Sequence, residues 1–220
     1  MRAVSVRIGA AAVVAALLAG CSGGDGGDAT KEPEGLSAAE VCGGFAKDAP
    51  AAAALKAVLG SERFEDDLSK PDKAVARLRA DAAAPWADSY RPQAVKYCGL
   101  RPVEGGQKDL GIDVGAVGKG PYLGPELAGK VTSYTSGLQA FSSSGLAKLY
   151  FSCRREAPAR TIVVETAVRG PAGTPETDLE QRTRLITLAN AAARQISEEL
   201  GCEEDGLVTG MPAPTANPTS

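Results

Sequence analysis

The sequence predicts a two-layer α+β domain: an antiparallel sheet of about four or five strands packed against helices, with a long C-terminal helix. Three observations predict it. Leu146–Cys153 and Thr161–Val168 are β-rich runs separated by seven residues that include Pro158, a spacing that suits an antiparallel pair. Leu185, Leu188, Ala189, Ala192, Ile196 and Leu200 recur along one helical stripe, widened on one side by Ile186 and Ala193. Three helix-opening signals, at Ser37, Pro50 and Pro71, precede the first alternating segment.

In chain order, residues 1–20 read as a signal peptide. Arg2 and Arg7 make a basic start, and the apolar run Ile8–Ala19 falls short of the roughly 20 residues of a membrane span. It fits the about 7–15 residues of a signal-peptide core. Leu18-Ala19-Gly20-Cys21 then resembles the lipobox of bacterial lipoproteins at every position. The resemblance implies a diacylglyceryl group on the Cys21 thiol, cleavage just before it and attachment to the membrane. Two or three acyl chains hold durably where one holds marginally. Residues 21–36, rich in Gly and acidic, read as a flexible tether. One Gly-Gly-Asp copy without a periodic apolar position does not build a calcium-binding repeat.

Residues 37–206 form the predicted domain. Ser37-Ala38-Ala39-Glu40 is a capping box with Leu36 and Val41 as its staple, opening a short helix that turns Val41, Cys42 and Phe45 inward. Pro50 opens a second helix with Leu55, Val58 and Leu59 on its stripe and Gly60 as its stop. Pro71 opens a third, carrying Val75 and Leu78, that ends before Pro85. Trp86, the single tryptophan, reads as a core plug, with a sugar-stacking platform beside Tyr90 as the alternative. Strand texture begins at Ala94–Cys98 and continues in Leu110–Ala116, where apolar residues alternate with polar ones or Gly. Lys130–Ser136 is a third strand, and the two strong runs bring the total to five. Phe141–Gly145 reads as a polar turn. Thr177-Asp178-Leu179-Glu180 is a second capping box, and Gly201 follows the last helix as its C-terminal cap. Residues 207–220, dominated by Pro, Thr, Ala and Ser after Thr209, read as a disordered tail.

Composition narrows the chemistry. The chain contains no histidine, which excludes Ser-His-Asp and Cys-His catalysis and imidazole metal sites. Removing Arg2 and Arg7 moves the formal charge from −3 to −5, and an acidic extracytoplasmic domain argues against nucleic acid as partner. Gly115–Gly120 lacks the spacing of a phosphate loop, and Ser144 with Lys148 misses the Ser-x-x-Lys spacing by one residue. Glu65-Asp66-Asp67 and Glu203-Glu204-Asp205 read as solvated charge runs rather than metal sites, so no cofactor and no metal are expected.

Five cysteines are present. With Cys21 lipidated, Cys42, Cys98, Cys153 and Cys202 are left for two disulfides in an oxidising compartment, and no Cys-x-x-Cys spacing suggests redox chemistry. Four cysteines allow three pairings. A terminal helix running back over the strand that ends at Val168 brings Cys202 to the end of the neighbouring strand, at Cys153. Cys42 is then left for Cys98.

The lipobox, the Val41-Cys42-Gly43-Gly44 start and the Glu198-Glu199-Leu200-Gly201-Cys202 end resemble small lipoproteins of high-GC Gram-positive bacteria. That resemblance implies the extracytoplasmic face of the cell membrane and carries no active site. The expected function is a non-catalytic binding or accessory domain at the cell envelope, with a protein, lipid or glycan partner. The alternative is an enzyme on cell-wall glycans that uses only carboxylates, such as Asp113 and Glu165, which must face one another roughly 5–9.5 Å apart. Replacing Cys21 with Ala is expected to move the chain from the membrane fraction to the soluble fraction. A variant still membrane-bound after a salt wash would contradict the anchor.

Overall fold

The two strong β runs lie side by side near the centre of one sheet, paired antiparallel from Leu146 opposite Arg169 to Cys153 opposite Ile162. The structure, a computed structural model, describes residues 34–83, 93–104, 108–118, 123–155 and 161–216. The signal peptide, Cys21, the tether to residue 33, Trp86 with Tyr90, and Pro158 lie outside the described residues.

The strands are β1 (Phe64–Glu65), β2 (Val95–Pro102), β3 (Leu110–Val117), β4 (Thr132–Tyr134), β5 (Gln139–Ser142), β6 (Leu146–Cys153), β7 (Ile162–Arg169) and β8 (Pro214–Thr215). The helices are α1 (Ala49–Leu59), α2 (Pro71–Ala83), α3 (Pro125–Ala128) and α4 (Leu179–Leu200). The architecture is mixed α+β as expected. The sheet is larger, however: eight antiparallel strands in the order β1-β2-β3-β7-β6-β5-β4-β8, where four or five were expected. The three extra strands are β1, β5 and β8, of two, four and two residues. None is long enough to show a period. β5 takes Phe141 and Ser142 from the expected polar turn, which shrinks to Ser143–Gly145.

Alternation along the central strands sorts the two faces. Leu110, Ile112, Val114 and Ala116 of β3, Ala147, Leu149, Phe151 and Cys153 of β6, and Ile162, Val164 and Val168 of β7 are buried in the main core. That core is closed by α2 and α4, whose Leu78, Leu185, Leu188, Ala192 and Ile196 are fully buried. Each of these leucine and isoleucine side chains contributes about 1.5–3 kcal/mol. α1 does not lie on the sheet; it packs against the outer side of α4, so the helical cover is itself partly double.

Helix ends follow the local chemistry with two corrections. Asp48 caps α1 by accepting the Ala51 N–H at 2.8 Å, and Gly60 ends it at φ 71°. The cap of α4 is Asp178, not Thr177: its carboxylate accepts the Gln181 N–H at 2.8 Å. The Glu40 carboxylate reaches back to the Ser37 N–H at 2.8 Å as a capping box requires, but the expected short helix is only a 3-10 turn over Val41–Gly43. Cys42 at φ 49°, then Gly43 at 76° and Gly44 at 80°, put three successive residues in left-handed conformation, which no right-handed helix propagates.

Both disulfides join the expected partners. Cys42–Cys98, with Cα atoms 5.6 Å apart, ties this turn to β2, and Cys153–Cys202, at 4.7 Å, ties β6 to the end of α4. They close loops of 56 and 49 residues, each worth roughly 4 kcal/mol in the chain-entropy account.

The expected disordered tail is also corrected. Residues 207–216 form a strap. Asn190, fully buried in α4, donates through Nδ2 to the carbonyls of Val208 and Gly210, both at 2.9 Å, and accepts the Ser136 hydroxyl at 2.6 Å. β8 then pairs with β4. Asn190→Leu is expected to cost about 1–3 kcal/mol, because the two carbonyls lose a buried donor. Amide exchange should rise first in residues 207–215, and uniform acceleration over the domain would contradict a local strap.

Candidate ligand-binding pocket

The sheet face turned away from α2 and α4 carries the side chains that the core leaves over. In register across β6 and β7 stand Lys148 beside Ala167 and Tyr150 beside Glu165, and Asp113 of β3 lies across from Ala167. Lys96 completes the row from β2, opposite Asp113. A charge ladder results. Asp113 pairs with Lys96 at 3.3 Å and with Arg169; Glu165 pairs with Lys148 at 3.1 Å and accepts the Tyr150 hydroxyl.

The two carboxylates named from the sequence therefore share a face of adjacent strands, two positions out of register. Each is already committed to cations, and Glu165 to a phenol as well. A proton donor for glycoside cleavage needs instead a carboxyl held protonated. Among the described residues, no group of three or more His, Cys, Asp or Glu is arranged to hold a metal ion. The acidic runs are more than solvated charge. Arg101 binds Glu65 and Asp67, Arg154 binds Glu203 and Glu204, and Asp66 accepts the Cys42 N–H at 2.9 Å.

Beside the ladder this face becomes apolar. Pro125 starts the one-turn helix α3, which with the residues around it sets Leu123, Ala128 and Val131 over Phe141 of β5 and Tyr150 of β6. This second cluster is separate from the main core. The Phe141 and Tyr150 rings stack with centroids 6.3 Å apart. Gly137 permits the strand turn behind them: at φ 59° it passes so close to Tyr150 that a Cβ would stand 2.4 Å from the Tyr150 carbonyl oxygen.

Next to this cluster opens a cavity of about 870 Å³, within the roughly 300–1,000 Å³ of small-molecule sites. Leu127, Val131, Phe141, Leu146 and Tyr150 supply most of its wall. Its charged lining is Lys130, Lys148 and Arg182 against Glu176. Arg182 rises from the first turns of α4, where Nη1 donates to Thr132 Oγ1 at 3.3 Å and Nη2 to the Glu176 carbonyl at 2.6 Å. Sequence reading put Leu146, Lys148 and Tyr150 in the β6 run, Lys130 and Val131 in the strand over 130–136 and Phe141 in a polar turn, and assigned none of them, nor Leu127, Glu176 or Arg182, to a binding site. The β6 run carried a usable signal. Beside the apolar set Ala147, Leu149 and Phe151, the other alternating set of this run carries Leu146 and Tyr150 on either side of Lys148, which indicates partial cover on the second face.

Burial is the main reason the Tyr150 phenol ionises far above the ordinary tyrosine range; its hydrogen bond to Glu165 and that carboxylate's charge add to it. Tyr97, an extra residue in a β2 bulge, is fully buried and donates to the Cys42 carbonyl at 3.1 Å. Burial raises it likewise, followed by the charges of Glu199 and Asp72.

The chain matches no protein-family model, no curated protein and no solved structure.

An alkaline titration tests the two phenols. Free tyrosine ionises near pH 10, so above that pH the unfolded chain sheds protons that folded Tyr97 and Tyr150 keep. Stability is thus expected to fall as pH climbs past about 10. Of five tyrosines, two should develop no phenolate absorbance until the protein unfolds. Five phenolates appearing together in the folded protein would contradict the burial.

Proposed function

We propose that the chain is a lipid-anchored, extracytoplasmic binding module that holds a small ligand in the cavity beside α3, without catalysing a reaction on it. One observation carries this reading: the sheet face opposite the core, which a purely structural domain would line with solvated side chains, has an apolar cavity roofed by its own small helix. Two further features agree with the proposed location. The Leu18–Cys21 sequence resembles a lipobox, and two disulfides suit an oxidising compartment.

The second reading is a carboxylate-dependent enzyme on cell-wall glycans. Its support is the shared face of Asp113 and Glu165. Against it stand the cations that hold both groups, and the apolar character of the wall beside them.

Leu146→Trp separates occupied pocket from empty surface. Leu146 is half-buried at the cavity wall and its side chain points away from the main core, so an indole there fills the cavity and leaves the fold intact. Native mass spectrometry of the chain extracted from its own membrane is expected to show a retained small molecule that the folded Leu146→Trp variant lacks. Equal retention by both proteins would sink the assignment of the ligand to this cavity.

A further inference from the structure

We propose that the ligand of this cavity is a single acyl chain bearing an anionic headgroup, the head held by Arg182 and Lys130 and the chain laid along Leu127, Val131, Phe141 and Leu146. The inference rests on the pocket reading above and adds the ligand's chemistry to it. Its strongest support is the state of Arg182. The side chain is only 12% exposed, yet its nearest carboxylate oxygen, on Glu176, stands 3.8 Å away. Its Nε–H is buried with no hydrogen-bond acceptor among the described residues. Buried charges are ordinarily paired. A guanidinium whose direct acceptors are one hydroxyl and one carbonyl keeps further Nη N–H groups for an anion in the cavity it lines, although the sealed Nε–H is beyond a ligand's reach.

The rest of the lining points the same way. Lys130 forms no ion pair among the described residues, and it borders the same cavity. Lys148 is neutralised by Glu165. Counting Glu165 with Glu176 against the three cations still leaves one positive charge in excess. The wall between these heads is aliphatic and aromatic with few polar groups, which suits methylenes and not the hydroxyl-rich surface of a sugar. A guanidinium that offers parallel N–H groups fits a carboxylate or phosphate. A greasy wall ending in two under-compensated cations therefore matches a fatty acid or an alkyl phosphate, and a neutral lipid would leave Arg182 as it is.

The test uses the full chain with Cys21→Ser, so that its own acylation does not compete, and titrates it calorimetrically below each ligand's micellar concentration. The probes are decanoate and dodecanoate, dodecyl phosphate, and the neutral monoacylglycerol of dodecanoic acid. Saturable one-to-one binding is expected. Each added methylene should tighten it about fourfold, as burial of one methylene predicts. Either anion should bind at least tenfold more tightly than the neutral ester. Lys130→Glu should erase that preference while leaving the ester's affinity unchanged, and Arg182→Gln should do the same where the variant stays folded. Equal affinity for ester and anion, displaced by Leu146→Trp, would overturn the anionic head and leave the pocket reading standing. No saturable binding of any acyl chain, with a non-lipid molecule retained from the membrane, would overturn the acyl chain. No saturable binding together with no retained molecule would overturn both.

Discussion

Helix α4 is enclosed from two directions, and that constraint orders the rest of the domain. Towards the sheet it buries Leu185, Leu188, Ala189, Ala192 and Ile196. On the other side it packs against α1, whose Ala51, Leu55 and Val58 are buried. Arg194 links the pair by reaching Asp48, the cap of α1, at 3.1 Å. Asn190 lies away from the solvated edge that bears Glu180, Arg184 and Glu198, so this fully buried amide must find partners inside. It finds them in the C-terminal strap. The strap is therefore part of how α4 is satisfied, and the disulfide at Cys202 keeps its start beside β6.

With both strong helices on one side, the sheet is left asymmetric. The covered face holds the core; the other bears the Lys96–Asp113–Arg169 and Lys148–Glu165–Tyr150 clusters and the small apolar patch under α3. Partly exposed ion pairs of this type contribute only about 0–1 kcal/mol each. Their effect is rather to position groups. Glu165 holds Lys148 and Tyr150 at the cavity edge, which leaves Lys130 and Arg182 as the lining cations not paired with it.

Much of the fold was legible because it obeys a period or a cap. The stripe of α4, the alternation of β3, β6 and β7, and the Pro and Gly boundaries of α1 and α2 all have local causes written in neighbouring residues. The cysteine pairing followed from one topological step, a helix returning over the strand before it. β1, β5, β8 and the strap were not legible. They are held by backbone hydrogen bonds to an edge already in place, as in Thr135 N–H to the Ala213 carbonyl at 2.9 Å, and such bonds leave no mark on side-chain order. The first turn misled for a related reason: only the Glu40 arm of its capping box forms, the Ser37 hydroxyl donating to the same carboxylate, and the residues behind it adopt left-handed conformations beside the bond from Cys42 to Cys98.

The sequence by itself determined the residue types: no histidine, four cysteines for two bonds, a lipobox-like start, and one strand run with Leu146 and Tyr150 opposite its core-facing side chains. Tertiary structure alone decided which of them meet. Asp113 and Glu165 share a face because β3 pairs with β7 across a long excursion, and Arg182 meets Lys130 because α4 begins where β4 begins. Neither meeting has a local cause. Each depends on chain segments dozens of residues apart being brought together by burial of α4, and burial energy, having no direction along the chain, is not written at any single position.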